Sequence, residues 1–138
     1  MVRSTMTDGI ERIGTPDAPA PAGHYSQATA WRDLVFVSGQ LPSLPDGTRL
    51  ADKPFEDQAR QALANVFAIL KAAGSGPEHV LRVTAYIVGV ENWPAFNATY
   101  AAAFGDARPA RTIVPVPELH FGCQVELEAI AVRGRGEG

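Results

Sequence analysis

The chain has 138 residues, a net charge of -3 and an ordinary balance of 46% hydrophobic to 20% charged residues. That length suits one domain, able to bury roughly 70% of its unfolded surface without staples. The acidic balance and the absence of a basic run argue against nucleic acid as a partner, and no apolar segment is long enough for a membrane span.

Residues 1–9 are polar and are expected to be loose, as are residues 134–138. Gly14 to Gly23 carries Pro16, Pro19 and Pro21 among small residues and reads as an irregular connection. A strand around Ser26 to Ala30 turns at Trp31-Arg32-Asp33 into Leu34 to Val37, a short apolar run that reads as a buried strand. Leu41 to Lys53, with Pro42, Pro45 and Asp46-Gly47, is a loop or a hairpin. From Phe55 to Ala73 the positions Ala59, Ala62, Leu63, Val66, Ile69, Leu70 and Ala73 recur at helical spacing, and Gly74 supplies the stop. Over His79 to Val88, Leu81, Val83, Ala85 and Ile87 alternate with polar neighbours, the pattern of a half-buried strand. Asn92 is placed to cap a second helix with Pro94 in its first turn, an apolar stripe of Phe96, Tyr100, Ala103 and Phe104, and Gly105 at its end. Pro109 to Val116 is a strand that Pro115 and Pro117 keep at an edge, and Cys123 to Arg133 is the last strand.

This order implies a single α+β domain over residues 1–138, with about six strands and two helices on one face of the sheet. In the last strand Val125, Leu127, Ala129 and Ala131 share one face, and Gln124, Glu126, Glu128, Ile130 and Val132 share the other. The second face is too apolar to be fully wet and too charged for a helix-packed core. A homo-oligomer interface with a polar pocket has that character.

Arg111 is the most site-like residue. It is the only basic residue between Pro109 and Leu119, and a guanidinium entering a core-packed strand needs an anion. Glu126 and Glu128, roughly 7 Å apart on one strand face, are its expected partners; a structural ion pair at a subunit contact is the other reading of the same residues. Cys123 excludes an internal disulfide and reads as a packed thiol. His24, His79 and His120 lie far apart, so no metal site is expected. Gly39, Gly74 and Gly105 read as turn and cap glycines, and Tyr86, Trp93, Tyr100 and Phe104 as core or interface aromatics. Residues 1–12 lack the apolar middle of a secretory signal, so a cytoplasmic protein is expected.

Six segments occur in a fixed order: Gly23-His24-Tyr25-Ser26-Gln27, Val37-Ser38-Gly39-Gln40, Gln58 to Asn65, Phe96-Asn97-Ala98-Thr99-Tyr100, Pro109-Ala110-Arg111-Thr112, and Val125 to Ala131. Together they resemble the Rid family of reactive-intermediate (enamine/imine) deaminases, also described as endoribonuclease L-PSP. The resemblance implies a chorismate-mutase-like fold, a homotrimer with clefts between subunits, and hydrolysis of 2-imino acids to 2-keto acids and ammonia without a cofactor. It places the carboxylate-binding arginine on Arg111 and the water-positioning glutamate on Glu126. The site tyrosine falls on Tyr25, the S-G-Q serine on Ser38, and a pocket-lining backbone on Ile113. Asn97 matches a supporting asparagine. Thr112 stands for the commoner serine, and His24 and His120 stand where the family usually has proline. Both histidines would lie beside pocket elements, facing solvent, tuning substrate choice or adding an acid/base group. Glu128 is read as a structural interface residue or as a second carboxylate. The resemblance leaves open an endoribonuclease or translation-inhibitor activity, and a non-catalytic, carboxylate-binding or chaperone-like trimer.

Overall fold

A computed structural model describes residues 3–134. Seven strands form one sheet: β1 (Arg3–Thr7), β2 (Ile10–Gly14), β3 (Ala28–Trp31), β4 (Leu34–Gln40), β5 (Val80–Val88), β6 (Ala110–Val116) and β7 (Val125–Val132). Two helices complete the domain, α1 (Phe55–Ala72) and α2 (Trp93–Phe104). The sheet order is β1-β2-β3-β4-β7-β5-β6. Every pairing is antiparallel except β5–β6. That parallel pair needs a long crossover, which α2 supplies.

The strand count exceeds the expected six because the N-terminal segment is not loose throughout. Residues 3–7 and 10–14 form a hairpin through Asp8 (φ 53°) and Gly9 (φ 81°). Two successive positive φ values suit an Asp-Gly hairpin turn. Residues 1, 2 and 135–138, expected to be loose, lie outside the described residues.

The six stripe positions from Ala59 to Leu70 in α1, and Ala73 just past its end, are all buried at no more than 5% exposure, and α1 packs against β4, β7 and β2. On β7 the inward set Val125, Leu127, Ala129 and Ala131 is likewise buried. Two expectations shift by one position. A register irregularity between Val80 and Arg82 turns Leu81 outward and Val80 inward, so β5 begins at Val80 and residues 77–79 form a short 3-10 turn. In α2 Thr99 joins Phe96, Tyr100 and Phe104 on the buried face, and Ala103 is exposed. Asn92 does not cap through its side chain; its Nδ2 donates back to the Val88 carbonyl at 2.9 Å.

Three buried amides tie the irregular segments to this frame. Gln27 Nε2 donates to the carbonyls of Pro19 and Thr15, and its Oε1 accepts from Thr15 N–H at 2.7 Å. Asn65 Nδ2 donates to the carbonyls of Leu41 and Ser43. Gln58 is fully buried; it donates to the Lys53 carbonyl at 2.9 Å and accepts from Gln124 N–H at 2.9 Å. Gln58→Ala therefore leaves backbone groups of two segments unpaired. It is expected to lower stability by about 2–3 kcal/mol, read as a lower denaturant midpoint at unchanged slope.

Candidate functional site

Pairing register decides which residues meet. Arg111 pairs with Val83, and Val83 pairs with Ala129, so Arg111 lies on the helix-covered face of the edge strand β6. Glu126 and Glu128 pair with Tyr86 and Thr84 on the opposite face, with β5 between their strand and β6. The expected internal pairing of Arg111 with these carboxylates is therefore absent within the protomer. Two strand positions and the thickness of the sheet separate them.

Arg111 is instead held by α2. Its Nη1 donates to Asn97 Oδ1 at 3.0 Å, and its guanidinium carbon lies 4.8 Å from the centre of the Tyr100 ring. Asn97 and Tyr100 sit one helical turn apart, so the N-x-x-Y spacing presents an acceptor and an aromatic face together. Tyr100 is more than a core aromatic. Its buried hydroxyl has no hydrogen-bond partner among the described residues, and burial pushes its pKa up to about 12 against the lowering effect of Arg111. The neutral ring is a platform for the cation. Among the described residues Arg111 forms no ion pair, which leaves part of its N–H fork open at the sheet edge. Ile113 is buried two residues along on the same face, and Thr112 is exposed on the other.

Tyr25, Ser38 and Glu126 do come together, beside a cavity of about 480 Å³ that His120 and Phe121 also line. Three devices shape it. The first is a register break in the β4–β7 pairing between Val37 and Gln40, which opens the strand end at Ser38-Gly39. The second is Gly39 itself. A methyl group there would stand 2.5 Å from Glu126 Oε2, so the absence of a side chain lets the carboxylate lie against the β4 backbone. Gly39 is thus no turn glycine; it makes room for the acid. The third is the 3-10 turn His120–Gly122, where Phe121 takes a left-handed conformation (φ 62°) and the His120 and Phe121 rings stack at 3.6 Å.

The polar groups are set as follows. Ser38 Oγ donates to the Ser26 carbonyl at 2.6 Å, so its lone pairs, and not its proton, are available to the cavity. The Tyr25 hydroxyl accepts from Ala22 N–H at 3.2 Å and keeps its own proton to donate; the residue is half exposed. Glu126 is only partly exposed. Desolvation pushes its carboxyl above the ordinary range, Glu128 adds to the rise, and His120 opposes it. Arg111 plays no part in that balance within one protomer. Glu128 itself is exposed on the open face, and His24 is exposed outside the cavity lining. Burial holds Cys123 as a neutral thiol.

Gly39→Ala follows directly as a probe. The added methyl displaces the tip of a flexible side chain, so melting temperature is expected to change little. Any reaction that needs Glu126 in place is expected to slow about 10²-fold, because a carboxylate moved by about 1 Å loses its alignment; a rate measured beside a thermal melt checks the pair.

Among the described residues, no group of three or more His, Cys, Asp or Glu is placed to hold a metal ion. No helix of the described residues is long and apolar enough to cross a membrane.

Comparison with known proteins meets this geometry. A sequence model of the endoribonuclease L-PSP family matches residues 15–133. A RutC family protein of Pyrococcus horikoshii is 39% identical over 123 residues, which span 89% of this chain and 98% of the relative. The 2-iminobutanoate/2-iminopropanoate deaminase of Capra hircus is 38% identical over 130 residues, 94% of this chain and 95% of that one. The crystal structure of E. coli TdcF with bound serine superposes with a TM-score of 0.84 at 34% identity, covering 89% of this chain and 98% of that chain. With the family's segments in order, its fold reproduced and its relatives matched over nearly their whole length, the chain belongs to the Rid family, the RutC and endoribonuclease L-PSP proteins.

Proposed function

We propose that the protein hydrolyses small 2-imino acids to 2-keto acids and ammonia, in clefts completed by a neighbouring protomer of a homotrimer. One observation carries the reading: a single protomer keeps the open cation of Arg111 apart from the acid-lined cavity, and the reading takes the two as halves of one site. Arg111 stands at one sheet edge with N–H groups to spare, and the Tyr25–Ser38–Glu126 cavity opens elsewhere. A head-to-tail contact between copies would bring one half against the other. The open sheet face, where Phe36 is 42% exposed beside Ile130 and Glu128, is suited to such a contact.

The chemistry fits these residue types. A guanidinium fork takes the planar carboxylate of an imino acid by two charge-assisted bonds and fixes the adjacent C=N carbon. Glu126, partly desolvated, takes a proton from water as its oxygen adds to that carbon and delivers a proton to the nitrogen. The carbinolamine hydroxyl then passes its proton by way of Glu126 to the amino nitrogen, the C=O bond forms as the C–N bond breaks, and ammonia and the keto acid are released. Tyr25 can donate to the substrate carboxylate, and Ser38 can accept from the attacking water. The deaminase name of the Capra hircus relative and the serine bound by E. coli TdcF point to the same substrate class.

The test generates 2-iminopropanoate and 2-iminobutanoate in situ with an amino-acid oxidase and follows keto-acid release. The protein is expected to accelerate release well above the enzyme-free rate. Matching rates across several imines defeat the deaminase reading, and keto-acid binding without turnover would replace it with a carboxylate-binding role.

A further inference from the structure

The cavity is lined by a cation that the reaction above does not use. Arg49 lines it together with Tyr25 and Glu126. Its guanidinium carbon rests 3.5 Å from the centre of the Phe121 ring, the ring that also carries His120. Arg49 is exposed, and among the described residues no acid pairs with it.

Nor does Arg49 sit on a loose loop. Residues 41–50 form a small hairpin in which Ser43 bridges Arg49, Leu44 N–H donates to the Thr48 carbonyl, and Leu50 N–H donates to the Pro42 carbonyl. Buried Asn65 clamps the hairpin base to α1 through the carbonyls of Leu41 and Ser43. The backbone carrying the cation is therefore fixed, and its planar head is seated on an aromatic face, an arrangement that limits the ordering needed when an anion arrives.

With Arg111 assigned to the carboxylate next to the imine, Arg49 is left for a different anionic group. We infer that Arg49, braced on Phe121, is a specificity residue that selects imino acids bearing a second carboxylate on the side chain. The inference rests on the deaminase reading and deepens it. A cavity of about 480 Å³ leaves room beyond a three- or four-carbon imino acid for such an extension.

The test compares kcat/KM for imines made in situ from aspartate and glutamate with those from alanine and 2-aminobutyrate. Wild type, Arg49→Ala and Arg49→Glu are assayed side by side, with calorimetric binding of 2-oxoglutarate and 2-oxobutanoate to each. The dicarboxylate-to-monocarboxylate ratio is expected to fall at least about tenfold in Arg49→Ala and further in Arg49→Glu, with the binding ratio following it. Ratios constant within about twofold across the three proteins, with imines still hydrolysed, overturn the role of Arg49 and leave the deaminase reading standing. If no imine is hydrolysed the deaminase reading falls. An Arg49-dependent preference for 2-oxoglutarate then still sustains the second-anion site, and its absence removes that too.

Discussion

Arg111→Lys is expected to lower kcat/KM for 2-iminobutanoate about 10²–10³-fold while fold and assembly persist. Lysine keeps the charge, so a purely electrostatic role would survive the exchange. What it loses is the planar fork: one N–H donating to Asn97 Oδ1 at 3.0 Å, the guanidinium carbon 4.8 Å from the centre of the Tyr100 ring, and the remaining N–H groups without a partner among the described residues. An ammonium offers a point charge that cannot hold a carboxylate by two parallel bonds. In the proposed reaction it would also leave the imine carbon free to swing away from the water that Glu126 activates. Both KM and kcat suffer, because the lost contact orients as well as binds. Stability should move by less than about 0.5 kcal/mol, since Arg111 makes no ion pair among the described residues. A Lys variant within about threefold of wild type, with the same melting temperature, would show that Arg111 serves another purpose.

Periodicity carried the fold well wherever many residues voted together. The α1 stripe and the alternation of β7 appear in the structure as read, because each rests on several large side chains buried in register. The N-terminal hairpin is not legible in the sequence because only Ile13 among residues 10–14 is buried, so β2 has no alternation to display. Its one readable signal was the Asp8-Gly9 turn. The shift of Leu81 outward comes from a strand irregularity that no local pattern announces.

The family segments single out Tyr25, Ser38, Glu126 and Arg111, but how the structure groups them depends on strand order. Placing β5 between β7 and β6 divides one expected cluster into two. Gly39 and Tyr100 were visible in their motifs as residue types, yet their roles are contacts across the fold: Gly39 with Glu126, Tyr100 with Arg111. Arg49 gave no signal at all in sequence, since a charged residue after an Asp-Gly turn is ordinarily solvated.

The proposed division of the site between protomers predicts a second large effect. Arg111→Ala and Glu126→Ala are each expected to be nearly inactive alone, yet mixing the two chains should restore activity. A cleft is intact when its arginine comes from a Glu126→Ala chain and its glutamate from an Arg111→Ala chain. For random assembly at equal amounts each condition holds half the time, so about a quarter of the clefts, and about a quarter of the wild-type rate, should return. The arithmetic is the same for any closed ring with one site per contact, so it tests the division of the site independently of subunit number. The experiment needs subunit exchange, by co-expression or co-refolding, with differently tagged chains to verify mixed assemblies. Activity that stays at the level of the separate variants in verified mixtures would mean that Arg111 and Glu126 act within one chain or in different sites. The register argues against the first outcome, because within a protomer the two side chains lie on opposite faces of the sheet, two strands apart.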